Sequence, residues 1–379
     1  MAKLTRKVAA DIAAASTEKV EMVPFQPIPR FDMLVSTGST LLDCAITGKR
    51  VKGGGIPGGI LIEIYGPSGK GKTALAVEIG ASAQAMGGTV FFNDPEGRLD
   101  QEYAEAYGLT LAGGKNYTKS DTIEEVFDDL IGWFKKDLPI NKMHVYICDS
   151  LAALSTTAEM EGGDKAGMLR AKAFSQMTRR IARMVSNKNR LVVFTNQIRQ
   201  KPSIGGFGGP SETTPGGEAI KFYASLRLRV GVPAQGHKIV QIKKIRGVEV
   251  EKVVGINSLV NVVKNSCDAP FRDAPICIIF DYGLDDVRTN LEFLKKFAVV
   301  EAQTLEEGEE GKKKGKPYII KDFQTTRLPA AIKYVEDNDF QDWVREEVIV
   351  LWVEIESHFA VDRKPKARFH GSEESKEQG

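Results

Sequence analysis

The sequence predicts an α/β fold in which a mostly parallel sheet is extended by antiparallel strands. Apolar strand-like runs alternate with helix-like segments from Gly59 to about Ser186, which is typical of a parallel sheet covered by helices on both faces. A glycine-rich turn joins the first strand of this series to the first helix. Beyond Phe222, strand-like runs follow one another with only turns between them, so we expect antiparallel additions to the sheet.

The composition is that of an ordinary globular protein. Of the 379 residues, 42% are hydrophobic and 27% are charged, which argues against wholesale disorder. A net charge of +2, from 52 basic and 50 acidic residues, predicts that any surface for nucleic acid is local. There is no apolar run of about 18 residues and no apolar signal core at the N-terminus. We therefore expect no membrane contact and a cytoplasmic location.

Cysteines and histidines give no sign of a metal cluster. The cysteines lack CxxC spacing, and we expect them to be reduced and structural; they are Cys44, Cys148, Cys267 and Cys277. The histidines form neither an HExxH pair nor a Cys/His cluster. The sequence therefore does not indicate metal catalysis beyond Mg²⁺.

A helix followed by a linker is predicted for the N-terminal residues 1–34. Segment 3–16 is rich in alanine and has apolar residues four positions apart, which indicates a short, weakly amphipathic helix. Three prolines in residues 23–30 prevent helix formation there. We place the first domain boundary near Val35.

A core domain is predicted for residues 35–285. Its parallel strands are expected at 61–65, 89–93, 143–148 and 191–195, and its helices at 71–86, 122–135 and 168–186. Antiparallel strands are expected at 223–230, 237–245, 259–264 and 276–280.

A small α/β C-terminal domain with a polar tail is predicted for residues 286–379. A charged, solvated run covers 306–316, and a helix is expected over 340–356.

The strongest chemical signal is a GxxxxGK[ST] loop between the first core strand and the following helix. In such a loop, backbone N–H groups and the positive end of the helix surround phosphates. Lys72 adds a charge for the β- and γ-phosphates, and the Thr73 hydroxyl can ligate Mg²⁺. The sequence therefore predicts ATP and Mg²⁺ as cofactors. The nucleotide-binding residues are Gly66, Pro67, Ser68, Gly69, Lys70, Gly71, Lys72, Thr73 and Ala74.

Two further strands run into acidic residues. Asp149 ends the strand at 143–148, where α/β sheets bind ligands, and we expect it to hold Mg²⁺ through water. A strand-terminal aspartate alone is more often a turn or cap residue, but the upstream P-loop favours the metal role. Glu96 follows the strand at 89–93 and can orient or activate the attacking water. Its alternative interpretation is a solvated loop carboxylate.

A polar amide precedes a long, basic, glycine-rich loop. Gln197 follows the strand at 191–195, and the loop over 198–217 carries Arg199 and Lys201. Such a composition suits a flexible segment that becomes ordered on a polyanion, although a mobile surface loop has the same composition. Gln197 could sense the γ-phosphate and reposition this loop.

Together these segments resemble the bacterial RecA recombinase family. The matching stretches are VSTGS at 35–39, EIYGP at 63–67, CDSLAAL at 148–154, TNQIR at 195–199, GGEAIKFYAS at 216–225 and VVKN at 262–265. The resemblance extends from about Val35 to Phe280, and it implies a P-loop NTPase core of RecA type.

The resemblance implies a DNA-dependent ATPase that forms a helical homo-oligomeric filament on single-stranded DNA. Such a protein pairs the bound strand with homologous double-stranded DNA and exchanges strands in recombination and repair. ATP would lie between neighbouring protomers, and residues 1–34 would serve as an oligomerisation arm.

The resemblance also implies residue roles. The catalytic residues would be Glu96, Lys72, Gln197 and Lys264, with Thr73 and Asp149 at the metal. Asp100 and Tyr103 match positions that contact adenine, and Phe222 matches an aromatic that communicates between protomers. Two DNA-binding loops are implied at 161–167 and 198–217. The DNA-binding residues would be Arg170, Lys172, Arg179, Arg199, Lys201, Gly205, Gly206, Phe207 and Gly208.

Some features differ from the family pattern. The family has two lysines, two positions apart, that reach the γ-phosphate of the neighbour, whereas this chain has Lys264 and Ser266. Hydrolysis is then expected to be slower or to use another group, such as Asp268 through a bound cation. The basic residues after the first loop can alternatively be a solvated helix face. A ring-forming helicase-type motor and a P-loop ATPase switch that does not bind DNA are the alternative functions.

Overall fold

The computed structural model describes residues 30–111, 114–160, 166–186, 189–201, 211–215, 217–234, 236–298 and 316–363. The predicted N-terminal helix, much of both predicted DNA-binding loops and the charged run at 306–315 lie outside the described residues. Within the described chain, no helix is both long and apolar enough to cross a membrane.

The described strands and helices alternate along the core, as the sequence predicts. The strands are β1 (Arg30–Val35), β2 (Ile56–Gly58), β3 (Ile60–Gly66), β4 (Val90–Asn93), β5 (Tyr117–Thr118), β6 (His144–Cys148), β7 (Arg190–Gln197), β8 (Arg199–Lys201), β9 (Ser211–Thr213), β10 (Leu226–Gly231), β11 (Lys238–Ile245), β12 (Val248–Asn265), β13 (Asp273–Ile279), β14 (Gly283–Leu284), β15 (Tyr318–Ile320) and β16 (Phe323–Thr325). The helices are α1 (Thr40–Thr47), α2 (Lys72–Ala85), α3 (Gln101–Ala106), α4 (Ile123–Lys135), α5 (Thr157–Met160), α6 (Ala166–Val185), α7 (Gly217–Tyr223), α8 (Asp286–Phe297), α9 (Leu328–Asp337) and α10 (Gln341–His358).

Ten of the described strands form one mixed sheet, in the order β14-β13-β12-β10-β3-β7-β6-β4-β5, with β11 paired to β12. The pairs from β10 to β5 along this order are parallel. The pairs that involve β11, β12, β13 and β14 are antiparallel. The fold class is therefore α/β with a mostly parallel sheet extended by antiparallel strands, as predicted.

Helices cover both faces of the sheet because the parallel strands are apolar at successive positions. On β7, Leu191 and Val193 pack into a core with α1 and α2, whereas Val192 and Phe194 pack into a second core with α4 and α6. Successive strand residues point to opposite faces, so one strand contributes to both cores. This arrangement buries the centre of the sheet and leaves the carboxyl ends of its strands at one edge.

The C-terminal elements have a small core of their own. The hairpin of β15 and β16 packs with α8, α9 and α10 around Leu291, Tyr318 and Val344. Helix α10 also reaches the main core, where Val348 is buried. The Arg272 side chain links the two parts by donating to Glu356 at 2.8 Å and lying over the Trp352 ring.

Several predicted strands have different bounds in the structure, and two of these differences have a clear physical reason. The strand expected at 223–230 begins only at Leu226, because Tyr223 ends helix α7, whose Ile220 is buried against α6. The strand expected at 259–264 is the last part of the much longer β12. Its first residues are exposed and carry mixed charges, so the apolar pattern revealed only the segment buried in the sheet.

Candidate nucleotide site

The carboxyl edge of the parallel strands forms a cleft of about 480 Å³. Parallel pairing places Gly66 opposite Gln197 and Asn93 opposite Cys148, so the loops that follow β3, β4, β6 and β7 meet there. Of the nine predicted nucleotide-loop positions, Ser68, Gly69, Gly71, Lys72, Thr73 and Ala74 line the cleft. Gly66, Pro67 and Lys70 do not line it directly.

The loop between β3 and α2 has backbone conformations that favour glycine and backbone N–H groups without a side-chain cap. Gly69 and Gly71 have φ angles of 69° and 93°, which side-chain-bearing residues rarely adopt. A Cβ at Gly71 would also collide with the Ile278 side chain. Gly71 is the N-cap of α2, so the first N–H groups of this helix receive no side-chain cap. They can therefore donate to an anion.

Lys72 is buried at the start of α2, with 8% of its surface exposed. Its Nζ donates to the carbonyl oxygen of Pro67 at 2.8 Å. Burial lowers the pKa of this ammonium, while the nearby charges of Asp149 and Glu96 raise it. A phosphate would provide the charge compensation that a single backbone carbonyl gives only in part.

Thr73 and Asp149 form the centre of the predicted metal site. The Thr73 hydroxyl donates to Asp149 Oδ2 at 2.6 Å, and the Thr195 hydroxyl donates to Asp149 Oδ1. Burial raises the pKa of Asp149, the two hydroxyl groups lower it, and the neighbouring Glu96 and Asp94 raise it. Hydroxyl and carboxylate oxygens are ligands that Mg²⁺ accepts together with phosphate oxygens, so the donor set fits a nucleotide-bound magnesium ion.

Glu96 is held in the cleft by three side chains. Ser150 Oγ donates to Glu96 Oε1 at 2.6 Å, and Gln197 Nε2 donates to the same oxygen at 3.1 Å. The other carboxylate oxygen, Oε2, lies 3.2 Å from Arg98. Glu96 and Gln197 were predicted from the sequence as site residues, whereas Ser150 and Arg98 were not. Ser150 adjoins Asp149 and Arg98 is close to Glu96, so proximity to acidic residues was the available signal.

One end of the cleft is aromatic and apolar. Tyr103 packs on Tyr107 with ring centroids 4.5 Å apart, and both line the cleft. Asp100 Oδ1 accepts from the Tyr103 N–H at 3.0 Å, so this residue caps α3 as well as lining the cleft. Three further residues that line the cleft come from β12, from β13 and from the position after β13; they are Ile256, Ile278 and Phe280. They were not predicted from the sequence, because they lie far along the chain from the glycine-rich turn.

Lys70 points away from the cleft toward the base of β11 and β12. Its Nζ lies 3.0 Å from His237 Nε2, and its carbonyl oxygen accepts from Ser258 Oγ at 2.9 Å. The other ring nitrogen of His237 lies 2.9 Å from the Asn257 carbonyl oxygen and must donate to it. Nε2 of the neutral ring is then free to accept from the Lys70 ammonium. The nucleotide loop is therefore bound to β12 and to the residue that immediately precedes β11.

Lys264 and Phe222 lie apart from the cleft within the described chain. Lys264 Nζ donates to the carbonyl oxygens of Lys221 and Phe222, at 2.9 and 2.7 Å. Phe222 is 74% exposed. Asp268, which the sequence analysis considered as a substitute for the missing lysine, is buried 3.4 Å from Arg272. That arginine already opposes its charge.

The predicted DNA-binding residues fall into three groups. Lys172 and Arg179 are exposed on α6, where Arg179 Nε donates to the Tyr223 hydroxyl at 2.9 Å. Arg170 belongs to α6, and Arg199 and Lys201 belong to β8, which pairs with β9. The remaining predicted positions, Gly205, Gly206, Phe207 and Gly208, lie outside the described residues.

A buried polar network connects β7 with the segment that follows the glycine-rich loop. Asn196 Nδ2 donates to Glu63 Oε1 at 3.0 Å and to the Pro215 carbonyl oxygen at 2.9 Å. The other Glu63 oxygen accepts from Arg227 Nε at 2.7 Å. The residue next to Gln197 therefore contacts the segment at the far end of the loop.

Comparison with known proteins identifies relatives over most of the chain. A family model described as the RecA N-terminal domain matches residues 29–285. Proteins named Protein RecA from Brucella canis, Brucella abortus and Brucella suis are each 37% identical to this chain over 309 residues. Each of these matches covers 77% of this chain and 78% of the relative.

Proposed function

This chain belongs to the RecA family, and on that premise we propose that it is a DNA-dependent ATPase that acts as a recombinase. In this proposal it forms a filament on single-stranded DNA, and it pairs the bound strand with homologous duplex DNA for strand exchange in recombination and repair. The observation that carries the proposal is the hydrogen bond between Gln197 and Glu96 at 3.1 Å. It connects the carboxylate proposed for catalysis to the strand that leads into the basic, glycine-rich loop.

ATP and Mg²⁺ fit the cleft. The glycine turn and the first N–H groups of α2 offer donors for the phosphates, and Lys72 offers a buried positive charge. The Thr73 hydroxyl and the Asp149 carboxylate would hold Mg²⁺, directly or through water. The adjacent rings of Tyr103 and Tyr107, tilted by 37° to each other, offer an apolar surface for the adenine base. When bound, Mg²⁺ supplies positive charge that neutralises the phosphate oxygens.

Glu96 is the group proposed to orient the attacking water. Ser150 and Gln197 fix one of its carboxylate oxygens, and the other oxygen lies toward Arg98. A carboxylate held in this way can accept a hydrogen bond from water without first changing its rotamer. Lys72 would stabilise the negative charge on the transferred phosphoryl group, so catalysis rests on positioning and electrostatics.

Gln197 is proposed to couple the nucleotide to DNA. A γ-phosphate in the cleft would compete with Glu96 for the Gln197 amide, and β7 continues into β8 with Arg199 and Lys201. The neighbouring Asn196 contacts Pro215 beyond the loop. A change at Gln197 would thus reach both ends of the loop that is proposed to contact DNA.

The test measures ATP hydrolysis with and without single-stranded DNA, together with strand exchange and electron microscopy with a non-hydrolysable ATP analogue. We expect hydrolysis to be stimulated by DNA, and we expect filaments and exchanged strands. Unwinding without pairing would indicate a helicase-type motor, and hydrolysis that is indifferent to DNA without polymerisation would indicate a switch. Either result would overturn the proposed function.

A further inference from the structure

Strands β11 and β12 extend beyond the sheet as a two-stranded ribbon, which we define as residues 238–253. All positions from Val240 to Lys252 are exposed. The turn at its tip consists of Arg246 and Gly247, with φ angles of 50° and 88°. Two consecutive positive φ angles are typical of the tight hairpin turn that matches the twist of paired strands. The ribbon is therefore a hairpin with an irregularity near its base, between Ile239 and Val240, and an exposed outer part.

The ribbon is the site of a local positive charge. It contains five basic and two acidic residues, a net charge of +3, whereas the whole chain has a net charge of +2. The basic residues are Lys238, Lys243, Lys244, Arg246 and Lys252, and the acidic residues are Glu249 and Glu251. A concentration of charge on an otherwise balanced chain creates a local attraction for polyanions.

The strand register separates these charges between two faces. Lys243 lies opposite Val250 and Gln241 opposite Lys252, whereas Lys244 lies opposite Glu249. Opposite residues share a face and successive residues alternate. The basic face thus has two lysines and no acidic residue; it comprises Gln241, Lys243, Ile245, Val248, Val250 and Lys252. The opposite face has both glutamates; it comprises Val240, Ile242, Lys244, Glu249, Glu251 and Val253.

We propose that the basic face of the ribbon, with Arg246 at its tip, is an additional binding surface for duplex DNA. The proposal rests on the proposed DNA-dependent function and adds a surface outside both predicted DNA-binding loops. Two strands about 4.8 Å apart can enter a major groove about 12 Å wide. Lys243, Lys252 and Arg246 would contact phosphates, while the aliphatic residues between them can meet sugars and thymine methyl groups.

The charge pattern favours DNA over a second copy of this chain as the occupant. A neighbouring protein would meet the exposed valines and isoleucines equally well on either face. A polyanion would be attracted to the face without acidic residues and repelled by the face with Glu249 and Glu251. The separation of charge by face therefore points to a polyanionic ligand on one side of the ribbon.

The base of the ribbon is fixed to the core, so the basic face has a defined position. Ser258, which is fully buried in β12, donates to the Lys70 carbonyl, and His237 holds the Lys70 side chain. Asn257 Nδ2 also donates to the Gly236 carbonyl oxygen at 2.7 Å across the base. DNA bound along the ribbon would thus lie at a set orientation to the nucleotide cleft.

The test compares duplex affinity over a range of salt concentrations for the wild type and for a K243Q/K252Q variant. Each phosphate contact contributes about 0.9 to the slope of log affinity against log salt, so we expect the slope to fall by about 1.8. The matched control is K244Q, which removes the neighbouring lysine on the opposite face and should leave the slope unchanged. Both variants should keep the wild-type unfolding temperature, since these side chains are exposed.

Each other outcome has a defined meaning. An unchanged slope and affinity in K243Q/K252Q would overturn the ribbon proposal while leaving the proposed function intact. An equal loss for single-stranded DNA would overturn the assignment to duplex, and an altered DNA-free oligomer would assign the face to a second copy instead. A wild type that binds neither form of DNA would remove the proposed function itself.

Discussion

Lys72 and Glu96 both line the cleft, and their surroundings favour different proposed roles. Lys72 is buried at the start of α2, among backbone donors suited to phosphate. Glu96 is held by Ser150 and Gln197 at the ends of β6 and β7. The first residue is suited to binding and charge neutralisation, and the second is suited to orienting a water molecule.

The two residues should therefore respond differently to substitution. We expect Lys72→Ala to abolish hydrolysis and to weaken ATP binding. We expect Glu96→Ala to lower kcat by about a hundredfold or more, the usual contribution of a positioned acid or base, with nearly intact nucleotide binding. Phosphate release and binding of a fluorescent ATP analogue measure the two effects. Glu102→Ala, an exposed acidic residue on α3, is the control, and equal loss of binding in both cleft variants would contradict the assigned roles.

The nucleotide loop contacts the base of β11 through Lys70 and His237. We expect a substitution that breaks this contact between elements to weaken ATP binding and to leave the rate of ATP hydrolysis unchanged. Without the hydrogen bond between Lys70 and His237, the nucleotide loop would become ordered only when ATP binds. The free-energy cost of this ordering would weaken ATP binding. We expect His237→Ala to raise the KM for ATP about three- to tenfold, since a hydrogen bond typically contributes about 0.5–1.5 kcal/mol net and tenfold corresponds to about 1.4 kcal/mol. The kcat should stay within about twofold of the wild type.

His237→Gln provides the matched variant, because its side-chain oxygen can still accept from Lys70. We expect it to recover most of the wild-type KM. A lowered kcat with an unchanged KM in His237→Ala would show instead that this residue acts on the chemical step. Steady-state kinetics over a range of ATP concentrations separates the two results.

The connection from β7 to the glycine-rich loop makes a second prediction for the elements. We expect Gln197→Ala to keep ATP binding and to lose the stimulation of hydrolysis by single-stranded DNA, because the amide that contacts Glu96 is removed. Hydrolysis rates with and without DNA measure this. Gln101→Ala, an exposed glutamine on α3, is the control. A fully stimulated Gln197→Ala protein would disprove the coupling.

At the scale of the whole molecule, Glu78 on α2 makes stability depend on pH. Burial raises the pKa of this carboxyl to about 7 from an ordinary value of 4.5; the Leu284 N–H, which donates to it at 2.9 Å, lowers the pKa, and Asp286 raises it. Because the folded state favours the protonated form, the contribution of Glu78 is present below pH 4.5 and is lost as the pH rises through 7.

Glu78→Gln should remove this dependence, since glutamine stays neutral and keeps an acceptor for Leu284. The variant should match the wild type near pH 4 and exceed its unfolding free energy by about 3 kcal/mol near pH 8, at roughly 1.4 kcal/mol per pKa unit. Urea unfolding at several pH values measures the difference. A difference that is constant across this range would contradict the assignment to Glu78.

The fold class and the main residues that line the candidate cleft could be predicted from the sequence alone. The nucleotide loop, Asp149 and Glu96 each follow directly from a strand, and a local pattern of strand, turn and polar residue is visible in the chain. Register then brings such residues together, because the carboxyl ends of parallel strands meet at one edge of the sheet. The start of β10 could not be predicted in this way, because the packing of helix α7 before it decided where the strand begins. The length of β12 could not be predicted either, because its first residues are exposed and are held only by pairing with β11.

Long-range packing, which no local pattern reveals, brings distant residues to the cleft and to its loop. Ile278 and Phe280 form a wall of the cleft about 200 residues beyond the glycine turn, and His237 binds Lys70 across 167 positions. No local periodicity encodes such pairs, because they form when antiparallel strands are added to the sheet beyond β10. The charge separation of the ribbon likewise depends on cross-strand register, which the turn at Arg246 and Gly247 sets.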